Sequence, residues 1–92
     1  MSLDSMEVLM RIERDFDVDI PDPTAERLET VEAVVAFLHQ ELAKRRQSDS
    51  KARSWSEKEL LDALRDIIVD EVGVARHRIT PQAHFRKDLG IE

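Results

Sequence analysis

Apolar residues recur along this sequence at helical spacing and almost nowhere in strict alternation, and that periodicity removes most sheet-based folds before any motif is considered. Val8, Ile12 and Phe16 fall at i, i+4, i+8, Val31, Val34, Val35, Leu38 and Leu42 form a second stripe, and Leu60, Leu64, Ile67, Ile68 and Val72 form a third. Only Gly73 and Gly90 interrupt the chain as glycines. The expected class is all-α, with each stripe turned toward a shared interior. At 92 residues there is room for one small domain, and a chain of this size buries only about two-thirds of its unfolded surface, so the core must be thin. Cysteine is absent, which leaves neither a disulfide nor a thiolate zinc site to reinforce it.

The boundaries follow from local chemistry. A first helix is expected from about Ser2 or Leu3 to Phe16, stopping ahead of Ile20-Pro21 because proline disfavours helix in the residue before it. Pro21 to Leu28 has room for a short helical turn. Thr30 is placed to cap the second long helix, and Lys44, Arg45 and Arg46 complement the dipole at its C-terminal end. Gln47 to Ser54 is polar and aperiodic and reads as a flexible linker. Ser56 with Glu59 then forms a capping box, with Trp55 placed to staple onto Leu60, and Gly73 supplies the left-handed stop. Val74 to Glu92 is expected as a long loop anchored by Ile79, Phe85 and Leu89; a loop of that length in so small a domain is usually functional or disordered.

Charge narrows the partners. With 20 acidic and 14 basic side chains the net charge is −6, which disfavours nucleic acid and anionic membrane surfaces and favours basic protein partners. Residues 1–22 concentrate the imbalance, with seven acids against Arg11 and Arg14. No apolar run approaches the roughly 20 residues of a membrane span, and MSLDSMEV is not a basic-then-apolar leader. The expectation is a soluble cytoplasmic protein that uses no nucleic acid and no membrane.

Two segments carry a family resemblance. SLDSMEVLMRIERDFDVDIPDPTAERLETVEAVVAFL, residues 2–38, resembles an acyl carrier protein from its modified serine through its last helix, without a gap. SEKELLDALRDIIVDEVGVARHRITPQAHFRKDLGIE, residues 56–92, resembles the same family's first helix and the loop leading to that serine. The family's N-terminal half thus stands second, and LGIE ends where SLD begins in the family's order. The reading is a circularly permuted carrier, a four-helix bundle of three main helices and one short one: residues 1–46 form the family's C-terminal half, 47–54 the linker and 55–92 its N-terminal half, in one domain. The same linker would let two chains exchange halves, so a monomer and a domain-swapped dimer both remain open.

The resemblance implies that a phosphopantetheinyl transferase moves 4′-phosphopantetheine from coenzyme A onto Ser2, and that the arm's thiol then holds acyl groups as thioesters for fatty-acid, polyketide or related synthesis. The chain itself would not be an enzyme. A helix N-terminus suits a phosphodiester, although a serine there is otherwise simply an N-cap. Two departures bear on the site: Met1 precedes Ser2 where the family has aspartate, the equivalent acid being Glu92, and Ser2 stands almost at the free end, where fraying is expected. Ser5, in Asp4-Ser5-Met6, mimics the motif one turn too late. Asp4, Met6, Glu7, Met10 and Glu13 would present an acidic, partly apolar face to basic docking patches on synthases and on the transferase, as the resemblance implies; Arg14 stands where the family more often has an acid. By themselves these residues read as a solvated helix face with two core methionines.

Two other readings compete. An unmodified permuted scaffold or interaction module would keep the bundle and never receive the arm. A calcium-binding helical module is suggested by Asp15, Asp17, Asp19 and Glu26 at positions 1, 3, 5 and 12 of an EF-hand-like loop, but Ile20 occupies the position that requires glycine. His39, His77 and His84 have no metal spacing and no nucleophile partner, and Arg76-His77-Arg78 and Arg86-Lys87 read as basic spots in a solvated loop.

Overall fold

The protein is described by a computed structural model over residues 3–91, with side chains from Ser5 to Ile91. Four α-helices follow in order, α1 (Leu3–Phe16), α2 (Asp22–Ala25), α3 (Val31–Ser48) and α4 (Glu57–Val72), with a 3-10 turn at Arg76–Arg78. Three are long and α2 is a single turn, as expected for an acyl-carrier-like bundle, and no strand occurs among the described residues. None of these helices is long and apolar enough to cross a membrane.

Each helix ends for an identifiable reason. At the end of α1, Asp17 takes a left-handed conformation (φ 53°), and the Val18 N–H reaches back to Glu13 O at 3.1 Å, the Schellman pattern normally built on glycine. Arg45 donates to the last carbonyls there, Phe16 O at 2.9 Å and Asp17 O. In α3, Thr30 Oγ1 accepts from the Ala33 N–H at 3.2 Å. Helix α3 runs on through Gln47 and Ser48, two residues read as linker from their polarity. The break comes at Asp49, whose carboxylate accepts from the Lys51 N–H at 3.0 Å and whose carbonyl accepts from Ala52. An Asx turn, rather than loss of apolar pattern, sets the boundary. The capping box of α4 is complete, with Ser56 and Glu59 exchanging bonds of 3.0 and 3.1 Å, and Gly73 closes it at φ 79°.

Helix α4 occupies the middle of the bundle and packs against both α1 and α3. Leu60, Leu64 and Ile68 are wholly buried, as are Ile12, Val31 and Leu38 opposite them. Helices α1 and α4 run in opposite senses. Phe16 at the end of α1 meets Trp55, just before α4, edge to face at 5.3 Å, while Arg11 reaches Asp70 and Glu71 near the end of α4. The Trp55 ring thus fastens the end of α1 to the start of α4, and the Arg53 guanidinium lies over the ring at 3.6 Å from its centroid. Val72 is only half-buried, marking where the α4 stripe leaves the core.

The long loop is built into the core. Ile79, Ala83, Leu89 and Ile91 are all buried. Its carbonyls complete the start of α3: the Val31 N–H donates to Ala83 O at 3.0 Å and the Glu32 N–H to Pro81 O at 2.8 Å. With Thr30 Oγ1 taking the Ala33 N–H, the first three amides of α3, which its own ladder leaves without acceptors, are all satisfied. Arg76 and Arg78, read as solvated, also hold this loop, together with Arg65 of α4. Arg65 donates to Ile79 O at 2.7 Å, Arg76 pairs with Asp66, and Arg78 donates to Asp88 O at 2.8 Å.

Candidate functional site

Ser2 and Glu92 lie outside the described residues, as does the side chain of Asp4. What the structure provides is the ground immediately behind Ser2: α1 begins at Leu3 and the chain's other described end, Ile91, is buried. Ile91 lines the same cavity as Ser5, Val8 and Leu9 of α1, so residues from both halves of the sequence meet beside the first turns of α1. Ser5, in the first turn of α1, is half-buried and lines this cavity.

The residues expected to form a docking face divide into two sets. Met6 and Met10 are 46% and 62% exposed and are the exposed large hydrophobics among the described residues; with exposed Glu7 they form an acidic, apolar strip on α1. Glu13, expected in the same strip, is half-buried, and its carboxylate accepts from the Ile20 N–H at 2.9 Å. It holds the segment after α1 against the helix. A glutamate seven residues before a proline-terminated Ile20 carried no sequence signal for this, because the bond exists only once Asp17 has reversed the chain.

Arg11 is the electrostatic centre of α1. It sits 2.8 Å from Asp15, 3.0 Å from Glu71 and 3.5 Å from Asp70. The hydrogen bonds it donates to Asp15 and then to Glu71 strengthen its hold on its proton, and the same Arg11 bond, ahead of every other influence, holds the Asp15 carboxyl below its ordinary value. Asp15 is thereby committed to Arg11. Among the described residues no group of three or more His, Asp or Glu side chains is arranged to hold a metal ion, so the spacing of Asp15, Asp17, Asp19 and Glu26 does not become a calcium loop.

Two spaces adjoin the start of α1. The first is a slot of about 90 Å³ lined by Val8, Leu9, Leu28, Val34, Phe85 and Ile91 among others. The second is an open groove of about 630 Å³ that shares Ser5, Leu28, Phe85 and Ile91 with the slot and is rimmed by Arg86, Lys87, Glu26 and Glu29. The loop between them is knotted by His84, which sequence reading left without a role. Its Nδ1 accepts from the Arg86 and Lys87 N–H groups, both at 3.1 Å, while its own N–H donates to Asp88 at 2.7 Å. The groove leaves the approach to α1 open to a phosphodiester arm, and its rim carries two cations, Arg86 and Lys87, beside two acids, Glu26 and Glu29.

Comparison with known proteins agrees with the residues. The phosphopantetheine attachment site family matches residues 2–38. Among curated proteins, the acyl carrier protein of Thermosynechococcus vestitus is 48% identical over 42 residues, 46% of this chain and 52% of that protein. The chain thus spans about half the length of this relative. No solved structure gives a significant match. On these matches, residues 2–38 are similar to the phosphopantetheine attachment segment found in acyl carrier proteins.

Proposed function

We propose that this protein is an acyl carrier that holds acyl groups as thioesters on 4′-phosphopantetheine attached to Ser2. The observation that carries the reading is the family match beginning at residue 2, directly ahead of α1, which opens beside the groove. Bound there, the arm supplies a thiol that this cysteine-free chain lacks. The chain's own residues do the rest. The start of α1 offers N–H groups and a positive dipole end to the phosphodiester, Arg86 and Lys87 add charge on the groove rim, and Met6, Glu7 and Met10, with Asp4, offer a docking strip to basic surfaces on a transferase and on acyl-processing synthases. Flexible, polarizable methionines suit a surface that must meet several partners in turn.

Carrying is distinct from catalysis: beyond the covalent anchor at Ser2, the chain's own side chains hold and present the arm. The reading belongs in the cytoplasm, where coenzyme A and synthases are available. We also read the chain as one domain with its halves permuted. One core drawn from residues 8–42 and 60–91 supports this, as does the exposed turn near Asp49, which closes the connection. Two copies could exchange halves about that turn; light scattering on a size-exclusion column separates monomer from exchanged dimer.

The carrier reading is tested by intact mass after incubation with coenzyme A and a broad-specificity phosphopantetheinyl transferase. A gain of one phosphopantetheine, lost in Ser2→Ala, is expected. No gain in a helical, cooperatively melting sample would leave an unmodified scaffold in its place.

A further inference from the structure

His84 caps the turn that carries the two cations of the groove rim. Its Nδ1 accepts from the Arg86 and Lys87 N–H groups, and the Asp88 and Leu89 N–H groups return to His84 O at 2.9 and 3.2 Å. A side chain that accepts from the amides two and three residues ahead, while the turn closes on its own carbonyl, acts as an N-cap, a place ordinarily held by Asn, Asp or Ser. The cap is tied to the body of the protein. His84 bridges to Thr30, and the Phe85 N–H donates to Glu29 O at 2.9 Å. What the cap sets is the backbone of Arg86 and Lys87, two exposed residues that line the groove together with Ser5 of α1.

A histidine cap differs from the ordinary ones in a single respect. It accepts only while Nδ1 carries no proton, which puts the proton of the neutral ring on Nε2, 3.8 Å from a Glu29 carboxylate oxygen. A second proton sets N–H against N–H at Nδ1, and both amides lose their acceptor; histidine is the side chain whose ordinary charge change falls between about pH 5 and 8. The surroundings pull both ways. Glu29 beside Nε2, Asp88 on the same turn and Glu26 across the groove favour a charged ring, whereas Arg86, Lys87 and Arg78, which donates to Asp88 O, oppose it. Neither set restores the cap, because a protonated Nδ1 has no lone pair to offer. Resting on the carrier reading, we propose that His84 is a positioning residue for the arm: with Nδ1 unprotonated it holds Arg86 and Lys87 on the groove rim toward the phosphodiester, and on acidification it releases them.

The test takes wild type, His84→Asn and a variant carrying both Arg86→Gln and Lys87→Gln from about pH 8 down to about pH 5.5. Two resonances are followed: the Arg86 and Lys87 backbone amides of the unmodified chain, and the phosphorus-31 signal of the chain loaded with phosphopantetheine, loading being confirmed by intact mass. A phosphodiester does not itself titrate in this range, so its signal reports its neighbours. In wild type the two amides and the phosphorus signal should move over the same pH interval. In His84→Asn, whose side-chain oxygen caps without titrating, all should stay still. In the Arg86→Gln, Lys87→Gln variant the amides at 86 and 87 should still move while the phosphorus signal does not. Wild-type amides that do not move, or that move equally in His84→Asn, would overturn the cap. Amides that move while the wild-type phosphorus signal stays flat, or a phosphorus signal that still moves without the two cations, would overturn the positioning role and leave the carrier reading intact. No mass gain in folded wild type would remove the carrier reading, and the role toward the arm with it, whereas the amides would still report on the cap.

Discussion

Glu13 provides the sharpest test of whether a residue on the docking helix belongs to a partner or to the fold. Its carboxylate accepts from the Ile20 N–H at 2.9 Å, and Ile20 is only 7% exposed, so its amide has little access to water as a substitute. Hydrogen bonds to charged groups are worth about 1.5–3 kcal/mol, and the half-exposed position of Glu13 argues for less, about 1 kcal/mol in Glu13→Ala. For a domain of this size that amounts to a fall in melting temperature of about 4–8 °C. Thermal denaturation followed by circular dichroism should show that fall in Glu13→Ala, a much smaller one in Glu13→Gln, whose amide oxygen still accepts, and almost none in Glu7→Ala, which is exposed. If Glu13→Ala and Glu7→Ala melt together, or if Gln falls as far as Ala, the structural role is wrong and Glu13 returns to the docking strip.

Two further outcomes follow from the helix ends and the ion pairs. Gly73 closes α4 at φ 79° with open space around its Cα, so Gly73→Ala meets no clash and should cost about 1 kcal/mol through backbone strain alone; urea denaturation should show a lowered midpoint with an unchanged slope, and an unchanged midpoint would contradict this. Asp15 is held below its ordinary value by Arg11, so its stabilising contribution is fully present above the unfolded carboxylate range of about 4 and is lost as the pH falls through the lower folded value. The gap in melting temperature between wild type and Arg11→Gln should therefore be greatest near neutrality and close on acidification; a gap that widened in acid would refute the pairing.

Much of this fold was legible along the chain because its determinants are local. The apolar stripes of α1, α3 and α4 depend on helical spacing, the Ser56–Glu59 box and Thr30 cap on residues three apart, and the stop at Gly73 on a backbone freedom that only glycine has without strain. The attachment segment was legible for a related reason, since residues 2–38 keep the family's order without interruption. The end of α3 was misplaced because polarity says where a helix stops facing a core, whereas the helix itself stops where Asp49 offers its backbone another bond. Only the folded chain decided the remainder. Glu13 meets Ile20 only after Asp17 turns the chain, Trp55 meets Phe16 across 39 positions, and the loop carbonyls of Pro81 and Ala83 cap a helix that begins fifty residues earlier. These are long-range pairings with no spacing to reveal them, and they place Phe85 and Ile91 beside α1.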